Sequence, residues 1–269
     1  MKALVLYSGA GGVCEGLRNA GITTWGIELN KDAAATARAA GHQVIEADVL
    51  DLDPWVVWPS PHLDLLQASP PCPSFSAAGK GAGTKQDRPV IIEALNRMRD
   101  GSTFNDEAFF VHERVVDERS YLTFDVARWI GKLLPNHVML EQVPAVLPIW
   151  EAYAEWMRTL GYGVWVGYVN SEQFGVPQTR KRAFLLASHG KEVSPPVPTH
   201  SKYYPRTPYK LDPGVKKWVS MAEALGWGMT ERPSCTVTGG GAETGGAEPF
   251  ATGARARMRT EIANGRWVE

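Results

Sequence analysis

Leu4-Val5-Leu6-Tyr7-Ser8-Gly9-Ala10-Gly11-Gly12, followed by Gly26-Ile27-Glu28, is the stretch that decides the fold. An apolar run that stops on glycines predicts a buried strand over 3–7, a tight turn, and a helix over 13–20. Residues 23–28 form the next strand and end on an acid. The alanine-rich 31–40 then reads as a helix, 43–47 as a third strand and 63–68 as a fourth. Such alternation predicts an α/β fold, a parallel sheet with helices on both faces and ligands gathered at the strands' carboxyl ends. Farther along, helices are expected over 89–99, 121–134 and 147–160, and strands over 137–141, 164–169 and 183–187. No helix is assigned to 104–113. From Ser194 onward prolines interrupt every element, which places a domain boundary near 190 and divides the chain into 1–190 and 191–269.

Composition narrows the class. A chain of 269 residues buries a full core without staples. Its three cysteines, Cys14, Cys72 and Cys235, lie far apart with no C-x-x-C spacing, which supports neither a disulfide framework nor a cysteine zinc site. No metal is expected, and a reducing, cytoplasmic setting is. The first apolar run is too short for a signal peptide or a membrane span, so no membrane partner is expected. A net charge of −1 does not announce a polyanion partner, although a local basic face remains compatible with one. Ten tryptophans mostly fill a core, with a minority free to stack on bases.

The glycines after the first strand let a ligand approach backbone amides and a helix N-terminus, and Glu28 can accept from both ribose hydroxyls. Asp48, after the third strand, can accept from an adenine amino group. The G-x-G-x-x-G spacing fails because position 14 is Cys14. A nucleoside without a diphosphate, such as S-adenosylmethionine, therefore fits better than a dinucleotide. After the fourth strand comes Ser69-Pro70-Pro71-Cys72-Pro73-Ser74-Phe75-Ser76. Prolines on both sides stiffen this loop and hold the thiol at a defined angle. By itself the loop suits a small buried thiol as well as a nucleophile.

Taken in order, these features resemble the cytosine-C5 DNA methyltransferase family, over residues 3–188 and a patch near 232–240. Leu6-Tyr7-Ser8-Gly9-Ala10-Gly11-Gly12 is similar to its first motif and Pro71-Cys72 to its Pro-Cys motif. Glu141-Gln142-Val143 is similar to Glu-Asn-Val, Gln178-Thr179-Arg180-Lys181-Arg182 to Gln-x-Arg-x-Arg, and Arg232-Pro233 to the late Arg-Pro motif. The resemblance implies a Rossmann-like methyltransferase sheet plus a small C-terminal target-recognition domain. It also implies S-adenosylmethionine held by Tyr7, Ser8, Gly9, Gly11, Gly12, Glu28, Asp48 and Pro70, with the Tyr7 ring on the adenine. Cys72 would attack C6 of an extruded cytosine in double-stranded DNA, Glu141 would hold the ring's N3, Arg182 its O2, and Arg180 would brace both loops. Ser74, Ser76, Lys80 and Gln178 would touch DNA. Singly, Glu141 would also suit a structural ion pair, Arg180 and Arg182 surface cations, and the glycines 79, 81 and 83 a plain linker.

Departures from the family pattern shape further expectations. The first motif lacks its early acid, where Val5 or Leu6 stands. Gln142 is one methylene longer than the usual asparagine. An insertion over 84–118 suggests a DNA-facing excursion or a surface decoration. Nothing in 239–269 resembles the family's last motif, which points to a truncated chain first, and otherwise to a partner chain supplying that segment or a cofactor pocket built differently; without a partner chain, a monomer is expected. The rivals are a transfer RNA cytosine methyltransferase, a catalytically incomplete DNA-binding subunit and a nucleotide-dependent oxidoreductase.

Overall fold

The computed structural model describes residues 1–71, 75, 83–204, 210–226 and 233–235. Its first unit comprises Met1–Tyr168 and Ala183–Pro195, and its second Val169–Arg182 and Pro196–Glu269. The chain thus passes between units after Tyr168, after Arg182 and after Pro195.

The first unit is built on a sheet of β1 (Lys2–Leu6), β2 (Thr23–Glu28), β3 (Gln43–Glu46), β4 (Leu65–Ala68), β5 (His137–Gln142), β6 (Tyr162–Asn170) and β8 (Lys181–His189) in the order β3-β2-β1-β4-β5-β8-β6. Ala3, Leu4, Val5 and Leu6 are wholly buried, as a central parallel strand covered on both faces requires. Edge strand β3, by contrast, leaves Gln43 and Glu46 exposed. The parallel pairs β1–β2, β2–β3, β1–β4 and β4–β5 agree with expectation. An all-parallel sheet does not. β8 lies antiparallel to β5, with Gln142 opposite Ala183 and Glu141 opposite Phe184. The stretch 171–180 between β6 and β8 is too short for a crossover helix, so the chain must turn back.

Helices α1 (Gly12–Asn19) and α2 (Lys31–Ala39) belong to the right-handed connections around β2, and α3 (Pro54–Val57) to the return from β3 to β4 across the other face. α4 (Arg88–Arg99), α5 (Phe104–His112) and α6 (Glu118–Leu133) fill the connection from β4 to β5, and α7 (Leu147–Thr159) follows β5. The long core side chains are tied by their polar tips. Tyr153 donates to the carbonyls of Thr123 and Phe124 at 2.7 and 2.9 Å, and Tyr162 donates to that of Pro135 at 2.7 Å. α5 is the helix missing from the expectation. Thr103 caps it by accepting from the Asp106 amide, Asp106 accepts from the Thr103 amide in return, and Phe104 stacks on Phe124 at 5.1 Å.

In the second unit the amides of Thr199 and His200 donate to the Gln173 carbonyl, while β7 (Gln178–Thr179) pairs with β9 (Ser234–Cys235). Asp212 accepts from the Lys202 amide at 2.9 Å and the Tyr204 hydroxyl at 2.8 Å. Trp218 is buried edge-on to Tyr203. α8 (Met221–Leu225) starts at a Ser220 and Glu223 capping box. The basic stretch 254–264, whose sequence suits a helix, lies outside the described residues.

Candidate active site

The strand order reverses between β1 and β4, which is where an open α/β sheet leaves a crevice at its carboxyl edge. Three neighbouring strands deliver the nucleoside-type residues there. After β1, Tyr7 and Gly9 adopt positive φ of 59° and 55°, and Gly11 adopts 92° where it caps α1. A Cβ on Gly11 would lie 2.7 Å from the buried His42 ring, so that position is glycine on two counts. After β2, the Glu28 carboxylate accepts from the Gly9 amide and the Asn30 amide, both at 2.8 Å. These bonds fix its orientation and leave each oxygen a second lone pair. After β3, Asp48 accepts from the Leu50 amide at 2.9 Å and starts a 3₁₀ turn.

A nucleoside fits these residues. Ser8 is buried, its Oγ lies 2.6 Å from where a Cβ on Gly26 would stand, and the glycine at 26 lets the turn after β1 sit close against β2 beside Glu28. Leu29 and Leu50, each beside one of the acids, are 65% and 43% exposed. Sequence reasoning missed both. The available signal was an apolar residue one position after Glu28 and two after Asp48, suited to covering a base. The Tyr7 ring is partly buried, and its hydroxyl donates to the Leu122 carbonyl at 3.3 Å. Burial, followed by the nearby Asp125 charge, holds its pKa well above the ordinary tyrosine value, so it stays neutral.

On the other side of the crevice, β4 and β5 run parallel with Ala68 opposite Leu140. The segments that follow them are bonded to each other: Gln142 Nε2 donates to the Pro70 carbonyl, and Gln142 Oε1 accepts from the Val143 amide. Gln142 and Pro70 are buried, while Pro71 is exposed. The base of the cysteine loop is thus fastened to the strand that carries Glu141. Cys72, Ser74, Ser76 and Lys80 lie outside the described residues, as does Arg232. Cys14 is buried in α1, and burial raises its thiol pKa, which suits a packing role.

Gln178, Arg180 and Arg182 are half-buried residues of the second unit. Gln178 pairs with Ser234, the Arg180 carbonyl accepts from the Ser171 amide at 2.9 Å, and the Arg182 guanidinium donates to the Lys181 carbonyl at 2.8 Å. The same unit exposes Lys202, Lys210, Lys216 and Lys217, with Lys210 over the Tyr204 ring and Lys217 over that of Trp218. No group of histidine, cysteine and acid side chains among the described residues could hold a metal, and none of their helices is long and apolar enough to cross a membrane.

The model of the family described as C-5 cytosine-specific DNA methylase matches residues 1–98 and 111–225. The chain belongs to the C-5 cytosine-specific DNA methylase family. S-adenosylmethionine is the methyl donor of that family. The Type II methyltransferase M.AquIA of a Picosynechococcus strain is 32% identical over 210 residues, which cover 74% of this chain and 77% of that protein. The Type II methyltransferase M.AplI of Arthrospira platensis is 28% identical over 190 residues, 70% of this chain and 45% of its own length. Against several such relatives the chain therefore spans less than half their length.

Two solved structures share the fold. A putative DNA modification methyltransferase encoded within an Escherichia coli prophage gives a TM-score of 0.53 at 17% identity, over 86% of this chain and 56% of that one. The Dnmt2 methyltransferase of S. pombe gives 0.50 at 19% identity, over 72% and 51%. The family model leaves 99–110 unmatched, a gap that takes in most of α5.

Proposed function

We propose that the chain is a DNA (cytosine-5)-methyltransferase of the modification type, acting on a cytosine turned out of double-stranded DNA. The observation that carries this reading is the bond from Gln142 to the Pro70 carbonyl. It fastens the Pro-Cys loop to the strand bearing Glu141, beside an edge already furnished for a nucleoside.

When bound, S-adenosylmethionine supplies an electrophilic methyl group. Tyr7, Ser8, Gly9, Gly11, Gly12, Glu28, Asp48 and Pro70 would hold it, with Glu28 on the ribose and Asp48 on the adenine amino group. Cytosine C5 is a poor nucleophile until a thiolate adds to C6, so Cys72 donates an electron pair there and forms the C6–S bond. Glu141 assists by protonating or hydrogen-bonding N3, which draws electrons away from C6, and Arg182 donates to O2. The enamine so formed makes C5 nucleophilic toward the methyl group that the bound cofactor would supply, the cofactor's S–CH3 bond giving way to C5–CH3 and S-adenosylhomocysteine being left behind. Loss of the C5 proton to a base and expulsion of the Cys72 thiolate release 5-methylcytosine and restore the enzyme. Arg180 braces the loops, Ser74, Ser76, Lys80 and Gln178 touch the DNA, and the exposed lysines of the second unit meet phosphates.

Bisulfite sequencing of DNA from cells expressing the chain tests the activity and reads the target site at once. Methylated cytosines in one sequence context are expected with the native chain and none with Cys72→Ala. Equal methylation by both would overturn the mechanism. Purified protein should also form a denaturant-stable adduct with 5-fluorocytosine DNA, because fluorine cannot leave as a proton does; transfer RNA offered alongside should take up no labelled methyl group.

A further inference from the structure

Asp48 stands at the adenine end of the cofactor edge, and the turn that follows it closes on itself through the Leu50 amide on the Asp48 carboxylate at 2.9 Å and the Asp51 amide on the Asp48 carbonyl at 3.2 Å. A second restraint comes from α6. Arg128 Nη1 donates to the Leu52 carbonyl at 2.6 Å, and its Nη2 donates to the Val49 carbonyl at 2.9 Å, so one guanidinium spans the 3₁₀ turn that Asp48 caps. The same guanidinium is held by Asp125, a helical turn back, through Nε and Nη2 at 2.8 and 2.9 Å. Asp125 is 1% exposed and Arg128 mostly buried. Four charge-assisted bonds in a planar fork leave the guanidinium little freedom. A buried ion pair adds little net stability against an apolar pair of the same size, so its presence here calls for a reason other than stability.

We propose that Arg128, backed by Asp125, is a positioning residue for adenine selection: it fixes the turn that presents the Asp48 carboxylate, so that Asp48 accepts from the adenine amino group and rejects a purine lacking it. This rests on the proposed assignment of the nucleoside to the edge bearing Glu28 and Asp48. Arg128 faces Asp125, Tyr121 and Tyr7, and its hydrogen bonds run to Asp125 and to the turn that carries Asp48. The fork matters because only a planar cation with separate N–H groups spans both carbonyls while keeping Asp125 paired. A lysine compensates the charge of Asp125, but its three N–H donors radiate from one nitrogen and do not reproduce the fork that spans both carbonyls while keeping Asp125 paired.

The test compares calorimetric binding of S-adenosylhomocysteine with that of its inosine analogue, in which an oxo group replaces the amino group, on the full chain. The native protein should prefer the adenine form by about tenfold to a hundredfold, the worth of one hydrogen bond to a charged acceptor. Arg128→Lys keeps Asp125 paired, and the double variant Asp125→Asn/Arg128→Met removes the buried charges together, so one folded variant is retained if the other melts. Either, once shown folded by its thermal melt, should lose most of the preference while still binding both ligands through Glu28. Asp48→Asn should lose the same preference, and adding it to Arg128→Lys should cost nothing more. Full preference in a folded Arg128 variant overturns the proposal with the cofactor reading intact. A native chain that binds neither ligand overturns the cofactor reading itself, and the proposal with it.

Discussion

The Gln142 carboxamide shows how much a single side chain organises here. Its Nε2 and Oε1 engage the Pro70 carbonyl and the Val143 amide, so the turn after β4 and the turn after β5 share one planar group. Gln142→Leu keeps the volume but leaves the buried Pro70 carbonyl without its donor. A fall in kcat of about a hundredfold is expected from the misplaced loop, with S-adenosylhomocysteine affinity retained; single-turnover methylation and calorimetry separate the two. Gly11→Ala fails for a different reason. The added methyl meets both a φ of 92° and the His42 ring, and a loss of about 2 kcal/mol is expected. At this chain length that corresponds to a melting point lower by roughly 4–8 °C.

At the scale of elements, the strands and acids of the first half were legible because central parallel strands must be apolar throughout and must end where the ligand begins. Ala3 to Leu6 and the glycines after them satisfy both demands, and the structure starts and ends these strands within two residues of the expected positions. α5 was hidden by its composition. Phe104, Phe109 and Phe110 with charges between them show no clean helical stripe, and only the Thr103 and Asp106 pair announces its start. The helix is held from outside, by Phe104 on Phe124, by the Ser102 hydroxyl on the buried Glu107, and by Arg97 and Arg114 over the Phe110 ring. Thr103→Ala removes the cap and should cost about 1 kcal/mol, visible as a melting point lower by roughly 2–4 °C. Methylation should be unchanged if α5 is a decoration; a change in target preference at equal stability would mark it as DNA-facing. The antiparallel β8 was equally illegible, since apolar alternation does not record strand direction.

For the whole molecule, the tyrosines near α6 set the alkaline limit. Burial, followed by the Asp125 charge, pushes Tyr121 up to about 12 from an ordinary 10. Between those values the unfolded chain has lost the proton and the folded chain keeps it, so stability is full below pH 10 and falls as pH rises toward 12. Absorbance at tyrosinate wavelengths should therefore lag the titration of exposed tyrosines, and Tyr121→Phe should soften the loss. The path of the chain between its two units has a consequence for how target preference can be exchanged. Gln178, Arg180 and Arg182 sit in a short excursion bounded by Tyr168 and Ala183, while the rest of the second unit begins only at Pro196. The two pieces are laced together by β7 and β9 and by the bonds of Thr199 and His200 to Gln173. A recombination event with a single junction near 196 would strand the excursion on the wrong parent and break that lacing. Hybrids between relatives should fold and methylate only when both pieces travel together, which makes the second unit a two-segment cassette.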